Sequence, residues 1–71
     1  MMLWVDIQLK KLLDEKGISE REFSRRTGIR QATINSLCNN EVKHLSLKNL
    51  RIICSELDIE EMDKLLRIYK D

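Results

Sequence analysis

The sequence contains no proline and only two glycines, two cysteines, one histidine and three aromatic residues. With so few breakers, the chain is predicted to be helical over most of its length. Cys38 and Cys54 do not form a Cys-x-x-Cys pair, and His44 is the sole histidine, so the ligand set of a zinc site is missing and no metal is expected. Both cysteines fall at apolar positions of helical patterns, where a reduced thiol behaves as a small hydrophobe. No glycine-rich phosphate loop and no nucleophile–base–carboxylate spacing is present, which excludes the usual enzyme classes and any evident cofactor or small-molecule substrate. No apolar run approaches the ~20 residues needed to cross a bilayer. The opening MMLWVDIQLKK lacks the charged region and small-residue cleavage site of a secretion signal, so a cytoplasmic location with no membrane partner is expected.

Apolar residues make up 42% of the 71 positions and charged residues 35%, enough for one small core under a well-solvated surface and too apolar for disorder. No linker, repeat or low-complexity stretch divides the chain, so residues 1–71 read as a single domain. The formal net charge is only +1, but its distribution is uneven. Residues 1–20 hold three basic against four acidic side chains, residues 21–51 seven against two, and residues 52–71 three against six. A basic middle attracts phosphates while an acidic tail is kept away from them. Taken alone, such runs are equally well read as solvated faces.

Apolar periodicity predicts five helical segments. Val5, Leu9, Leu12 and Leu13 recur at helical spacing over Asp6–Lys16, and Gly17 closes that pattern. Ser19 with Glu22 three residues on makes a capping box for the second helix. A third helix is expected over Gln31–Asn39, with Ile34, Leu37 and Cys38 inward. Ser46 caps a fourth, lined by Leu47, Leu50, Ile53, Cys54 and Leu57. Asp58 caps a fifth, in which Met62, Leu65, Leu66 and Tyr69 show i, i+3, i+4, i+7 spacing. The apolar ends (Met1, Met2, Leu3 and Trp4; Leu66, Ile68 and Tyr69) exceed what so small a core requires. They read either as added core, including a short strand pair of LWVDI with RIYK, or as a subunit interface. Trp4 and Tyr69 lie outside the basic region and read as packing residues.

The stretch Glu20–Leu37, EREFSRRTGIRQATINSL, carries the functional reading. Phe23, Ser24, Thr27, Ile29, Ile34 and Leu37 are apolar or small, and Gly28 sits between two short helical patterns. That is the layout of two helices crossing steeply over a tight turn at about residues 19–39. Ser24 is small where the third helix must approach, and Gly28 takes the left-handed turn without a Cβ penalty. Arg30, Gln31, Ala32, Thr33, Asn35 and Ser36 are left for the start and outer face of the third helix. Glutamine and asparagine match adenine edges, arginine matches guanine, and alanine or a threonine methyl meets thymine, all within the major groove. The plain alternative is an ordinary polar helix face. Its coincidence with the turn, the basic middle and the lack of catalytic groups favours DNA.

Residues Ile18–Leu57 resemble the phage repressor and Cro-like helix-turn-helix family. ISEREFSRRTGIRQATINSLCNN followed by VKHLSLKNLRIICSELDI is similar to that family's second to fourth helices, with Ser24, Gly28, Ile29, Ile34 and Leu37 in register. The resemblance implies an all-α, compact five-helix bundle that binds double-stranded operator DNA as a homodimer and regulates transcription as a repressor. It places Arg30, Gln31, Ala32, Thr33, Asn35 and Ser36 at or near the bases, and Asn39, Lys43, His44 and Ser46 near phosphates. His44, alone in a loop, otherwise reads as a solvent-exposed residue. Two positions depart from the family pattern. Glu20 stands where glutamine usually contacts a phosphate and braces the recognition helix; it is expected to pair with Arg30 or to favour its own helix N-terminus. Leu13 and Cys38 stand where some members bury an Arg–Glu pair. Near-neutral charge, Glu20 and the apolar ends also fit a protein-interaction module, antitoxin- or antirepressor-like, built on the same fold.

Overall fold

The structure, a computed structural model, describes residues 3–70. Met1 and Met2, counted above among the apolar ends, lie outside the described residues. Chain order is β1 (Leu3–Ile7), α1 (Leu9–Lys16), α2 (Glu20–Thr27), α3 (Gln31–Cys38), α4 (Leu47–Glu56), one 3₁₀ turn over Met62–Lys64, and β2 (Leu66–Lys70). Among the described residues there are thus four α-helices, not the expected five, beside a two-stranded antiparallel sheet. Among the described residues no helix is long and apolar enough to cross a membrane.

The core is apolar. Ile7, Leu9, Leu13, Phe23, Ile29, Ile34, Leu37, Cys38, Ile53, Leu57 and Leu65 are buried, with no buried polar residue among them. Fully burying one such side chain contributes roughly 1.5–3 kcal/mol, and β1 and each of the four α-helices supply at least one. Leu13 and Cys38 both sit in this cluster. Leu47, expected on the inner face of α4, is instead 74% exposed: it occupies the first turn, beyond the reach of the cluster.

Helix ends follow the local chemistry of the sequence. Ser19 Oγ accepts from the Glu22 N–H at 3.0 Å, and Ser46 Oγ accepts from the Asn49 N–H at 3.2 Å. Asn40 and Asp58 both adopt left-handed backbone, with φ 58° and 54°. In each case the residue's own amide and the next one reach back to close the helix. Asn40 N–H bonds Leu37 O and Glu41 N–H bonds Ser36 O; Asp58 N–H bonds Ser55 O and Ile59 N–H bonds Cys54 O.

That closure explains the missing fifth helix. Asp58 ends α4 rather than capping a new helix, and its carbonyl-satisfying turn sends the chain off in an extended direction. A 3₁₀ turn then seats Leu65 in the core at 1% exposure, and Leu66–Lys70 pairs with β1. The start of the predicted first helix is corrected by the same pairing. Asp6 and Ile7 are strand, and α1 begins at Leu9. Register runs Leu3↔Lys70, Trp4↔Tyr69, Val5↔Ile68, Asp6↔Arg67 and Ile7↔Leu66, and Gln8 N–H extends it to Leu65 O at 2.7 Å. The ribbon is the strand pair of LWVDI with RIYK: its base joins the core, whereas Leu3, Trp4, Val5, Ile68 and Tyr69 stay 46–69% exposed. The Arg67 guanidinium lies 5.8 Å from the Tyr69 ring centre, a cation–π contact along the ribbon.

Asn40 ties this ribbon to the end of α3. Its Oδ1 accepts the Ile7 N–H at 2.6 Å and its Nδ2 donates to the Ile7 carbonyl at 3.3 Å. Both outward backbone groups of Ile7 are therefore satisfied by one side chain. Asn40→Gly keeps the left-handed turn and removes only these bonds, and should lower unfolding free energy by about 1–2 kcal/mol in urea titration. Asn40→Ala should lose more, because a Cβ is strained at that φ. A glycine variant as stable as the parent would show that the tie carries no stability.

Candidate nucleic-acid interface

The corner between α2 and α3 is built from short-range bonds. Gly28, at φ 76°, sends its N–H to Ser24 O. The Ser24 hydroxyl donates to the Ile29 carbonyl across the turn. Thr27 Oγ1 donates to Phe23 O at 2.8 Å and accepts from the Ile29 N–H at 3.2 Å. Phe23, Ile29 and Ile34 fill the angle beneath, at 0%, 6% and 0% exposure. A polar corner satisfied in this way holds α3 at a fixed attitude to α2.

On that platform Arg30, Gln31, Ala32 and Asn35 are exposed, in line with their expected outer positions. Arg30 is the N-cap of α3, with its side chain left out of the capping. Gln31 lines a hollow with Ser19, Arg21, Glu22, Ser24 and Arg25, between the starts of the two helices. Ser36 is half-buried. Thr33 is also half-buried and faces a different direction: it lines a hollow of about 200 Å³ with Leu37, Val42, His44, Leu45 and Ser46, toward the loop before α4. Asn39 is exposed at the C-cap of α3, and Lys43 and His44 are exposed in the loop. Ser46 is exposed too, but its hydroxyl caps α4. The strip thus gathers Arg30, Gln31, Ala32 and Asn35 on one side, with Thr33, His44 and Ser46 around a neighbouring depression.

Two internal contacts were not legible in the spacing. Of the two alternatives for Glu20, the pairing with Arg30 does not form; Glu20 sits in the first turn of α2 and accepts from Asn35 Nδ2 at 3.1 Å, and Asn39 Nδ2 donates to Asn35 Oδ1 at 3.2 Å. The partner of Glu20 is set by how α2 crosses α3, which no local pattern encodes. The capping box is only half realised, since the Glu22 carboxylate is turned onto Arg25 and Arg26. Two of the seven basic residues of the middle region are thereby paired, and Arg21, Arg30, Lys43, Lys48 and Arg51 remain as exposed cations without an ion pair among the described residues. Arg21 at the mouth of the Gln31 hollow had no individual signal beyond its share of the basic run.

Cys38 and Cys54 are free, and burial, helped by the nearby Glu20 charge, pushes the Cys38 thiol up to about 11. No group of three or more His, Cys, Asp or Glu that could hold a metal occurs among the described residues.

Two crossed helices around a glycine turn, the second exposing a polar strip, define a helix-turn-helix. A family model of the Cro/C1-type HTH DNA-binding domain matches residues 8–71. The chain belongs to that family, and it is a DNA-binding domain of the helix-turn-helix class. No curated protein and no solved structure matches it.

The hydrogen bond from Arg25, then that from Arg26, lowers the Glu22 carboxyl from 4.5 to about 2. A carboxyl depressed on folding stabilises the chain fully above its unfolded value and loses that effect as pH falls through its folded value. The stability difference between the parent and Glu22→Gln should therefore be complete above pH 4.5 and vanish near pH 2. Urea midpoints of both proteins across that range measure it; a constant difference would show that the charge of Glu22 is not involved.

Proposed function

We propose that the protein is a sequence-specific transcriptional regulator, a repressor, which acts in the cytoplasm as a homodimer and reads operator DNA in the major groove with α3. The single observation that carries this reading is the fixed, solvent-facing strip Arg30, Gln31, Ala32 and Asn35 on a helix held at its corner by Ser24, Thr27 and Gly28. Family membership supports DNA as the partner. The strip offers bidentate donors and acceptors of the kind that distinguish base pairs. Lys43 and His44, with the backbone around Ser46 and the side chain of Asn39, are assigned to the flanking phosphates.

A helix of eight residues covers few base pairs, so two copies on half-sites ~34 Å apart are needed for useful affinity. The exposed apolar side chains of the ribbon supply a surface for the second copy. The protein-interaction alternative drew support from Glu20, whose carboxylate is engaged by Asn35 within the domain. The domain contributes binding, and no catalytic role is assigned to it.

Selection of bound sequences from a random duplex pool tests the reading directly; a two-fold symmetric site is expected, and an unenriched pool would contradict it. On the selected operator, Gln31→Ala should lose about 1–3 kcal/mol while binding to random duplex is retained. Equal loss on all sequences would remove Gln31 from the base-reading set. Lys43→Ala should weaken binding to every sequence and flatten the slope of log affinity against log salt by about one. An unchanged slope would remove Lys43 from the phosphates.

A further inference from the structure

The three side chains Glu20, Asn35 and Asn39 form one directional chain of hydrogen bonds. Asn39 Nδ2 donates to Asn35 Oδ1, and Asn35 Nδ2 donates to Glu20 Oε1. A carboxylate only accepts, whereas each amide has one accepting and one donating end. Glu20 therefore decides the direction of the whole chain: Asn35 must turn its NH₂ toward Glu20, which leaves its oxygen for Asn39, which must in turn present its own NH₂ inward. The Asn39 Oδ1 is then the end of the chain, on an exposed residue at the foot of α3 and without a partner among the described hydrogen bonds. A glutamine at position 20 would lift this constraint, because its amide donates as well as accepts and the chain then runs either way. Asn35 in its turn has one N–H and one lone pair committed and keeps one of each for a base edge.

Resting on the DNA-binding reading above, we propose that Glu20 is a specificity-determining residue: it locks the polarity of Asn35 and Asn39 so that α3 presents the Asn39 Oδ1 as an acceptor to an exocyclic amino group in the major groove. Cytosine N4 and adenine N6 are the two groups of that kind. Asn39 is thereby moved from the phosphate contacts to the bases, where an outward oxygen is attracted rather than repelled. Glu20 acts as a positioning residue, through Asn39 rather than by touching DNA.

The test uses the full chain and the duplex selected from the random pool. Each adenine or cytosine of the half-site is replaced in turn by its analogue lacking the exocyclic amino group, purine or 2-pyrimidinone. The parent should lose roughly tenfold in affinity at one position, and the analogue that causes the loss says whether the base is adenine or cytosine. Glu20→Gln should keep its affinity for random duplex, or raise it by removing a negative charge, yet become nearly indifferent to that one analogue. Asn39→Ala should bind the selected duplex about tenfold more weakly and lose its sensitivity to that same analogue, and the double variant should add nothing further. Melting curves confirm that each variant is folded, and Glu20→Ala serves in place of the glutamine variant if that one unfolds. A parent indifferent to every amino-group deletion, or a Glu20→Gln variant as sensitive as the parent, would overturn the proposal while leaving DNA binding intact. A parent that binds no duplex in a salt-dependent way would overturn the DNA-binding reading itself, and the proposal with it.

Discussion

Ser24 and Gly28 together set the angle at which α2 meets α3, and the presentation of the outer strip follows from that angle. The serine hydroxyl crosses the turn to the Ile29 carbonyl, Gly28 takes a left-handed conformation, and Thr27 closes the remaining backbone groups of the corner. Beneath them Phe23, Ile29 and Ile34 leave no space for the helices to hinge. A larger residue than serine would push α3 away, and a side chain at Gly28 would strain the turn. Because the corner is both packed and hydrogen-bonded, the exposed residues of α3 are displayed as one rigid unit, and rigid display is what lets a short helix discriminate among surfaces.

The far end of α3 is tied as firmly as its start. Asn40 stops the helix in a left-handed turn and fastens both outward backbone groups of Ile7, so the end of α3 is tied to the terminal ribbon. This places two unlike surfaces on one rigid body. One is polar, with exposed cations at Arg21, Arg30, Lys43, Lys48 and Arg51; the other is the apolar ribbon with Trp4 opposite Tyr69.

What the sequence made legible was local, and what it hid was distant. Ser19 and Ser46 announce their helices, the Gly28 turn is plain, and the inward set Phe23, Ile34, Leu37 and Ile53 follows from helical spacing alone. The fifth helix misled because Met62, Leu65, Leu66 and Tyr69 satisfy a helical period by coincidence, while five residues are too few to show a strand period clearly. Leu66–Lys70 is a strand because Leu3–Ile7 lies beside it; the apolar excess at both ends made the pairing of LWVDI with RIYK one of the readings, but spacing alone did not choose it over the helix. The site divides in the same way. Exposure of Arg30, Gln31, Ala32 and Asn35 was readable from the amphipathic pattern. The bond from Asn35 to Glu20, the turning of Thr33 toward the loop before α4, and the capture of Arg25 and Arg26 by Glu22 depend on rotamers and on helix crossing, which spacing does not encode.

The central claim is that α3 enters the groove by its outer strip. Backbone amide resonances followed by NMR while the selected duplex is titrated in test this most directly. The account predicts shifts concentrated at residues 30–36 and 39–46, with the ribbon strands and the interior of α1 little changed by the DNA itself. Shifts confined to the ribbon or to the acidic stretch around Glu60 and Glu61, with α3 undisturbed, would contradict it.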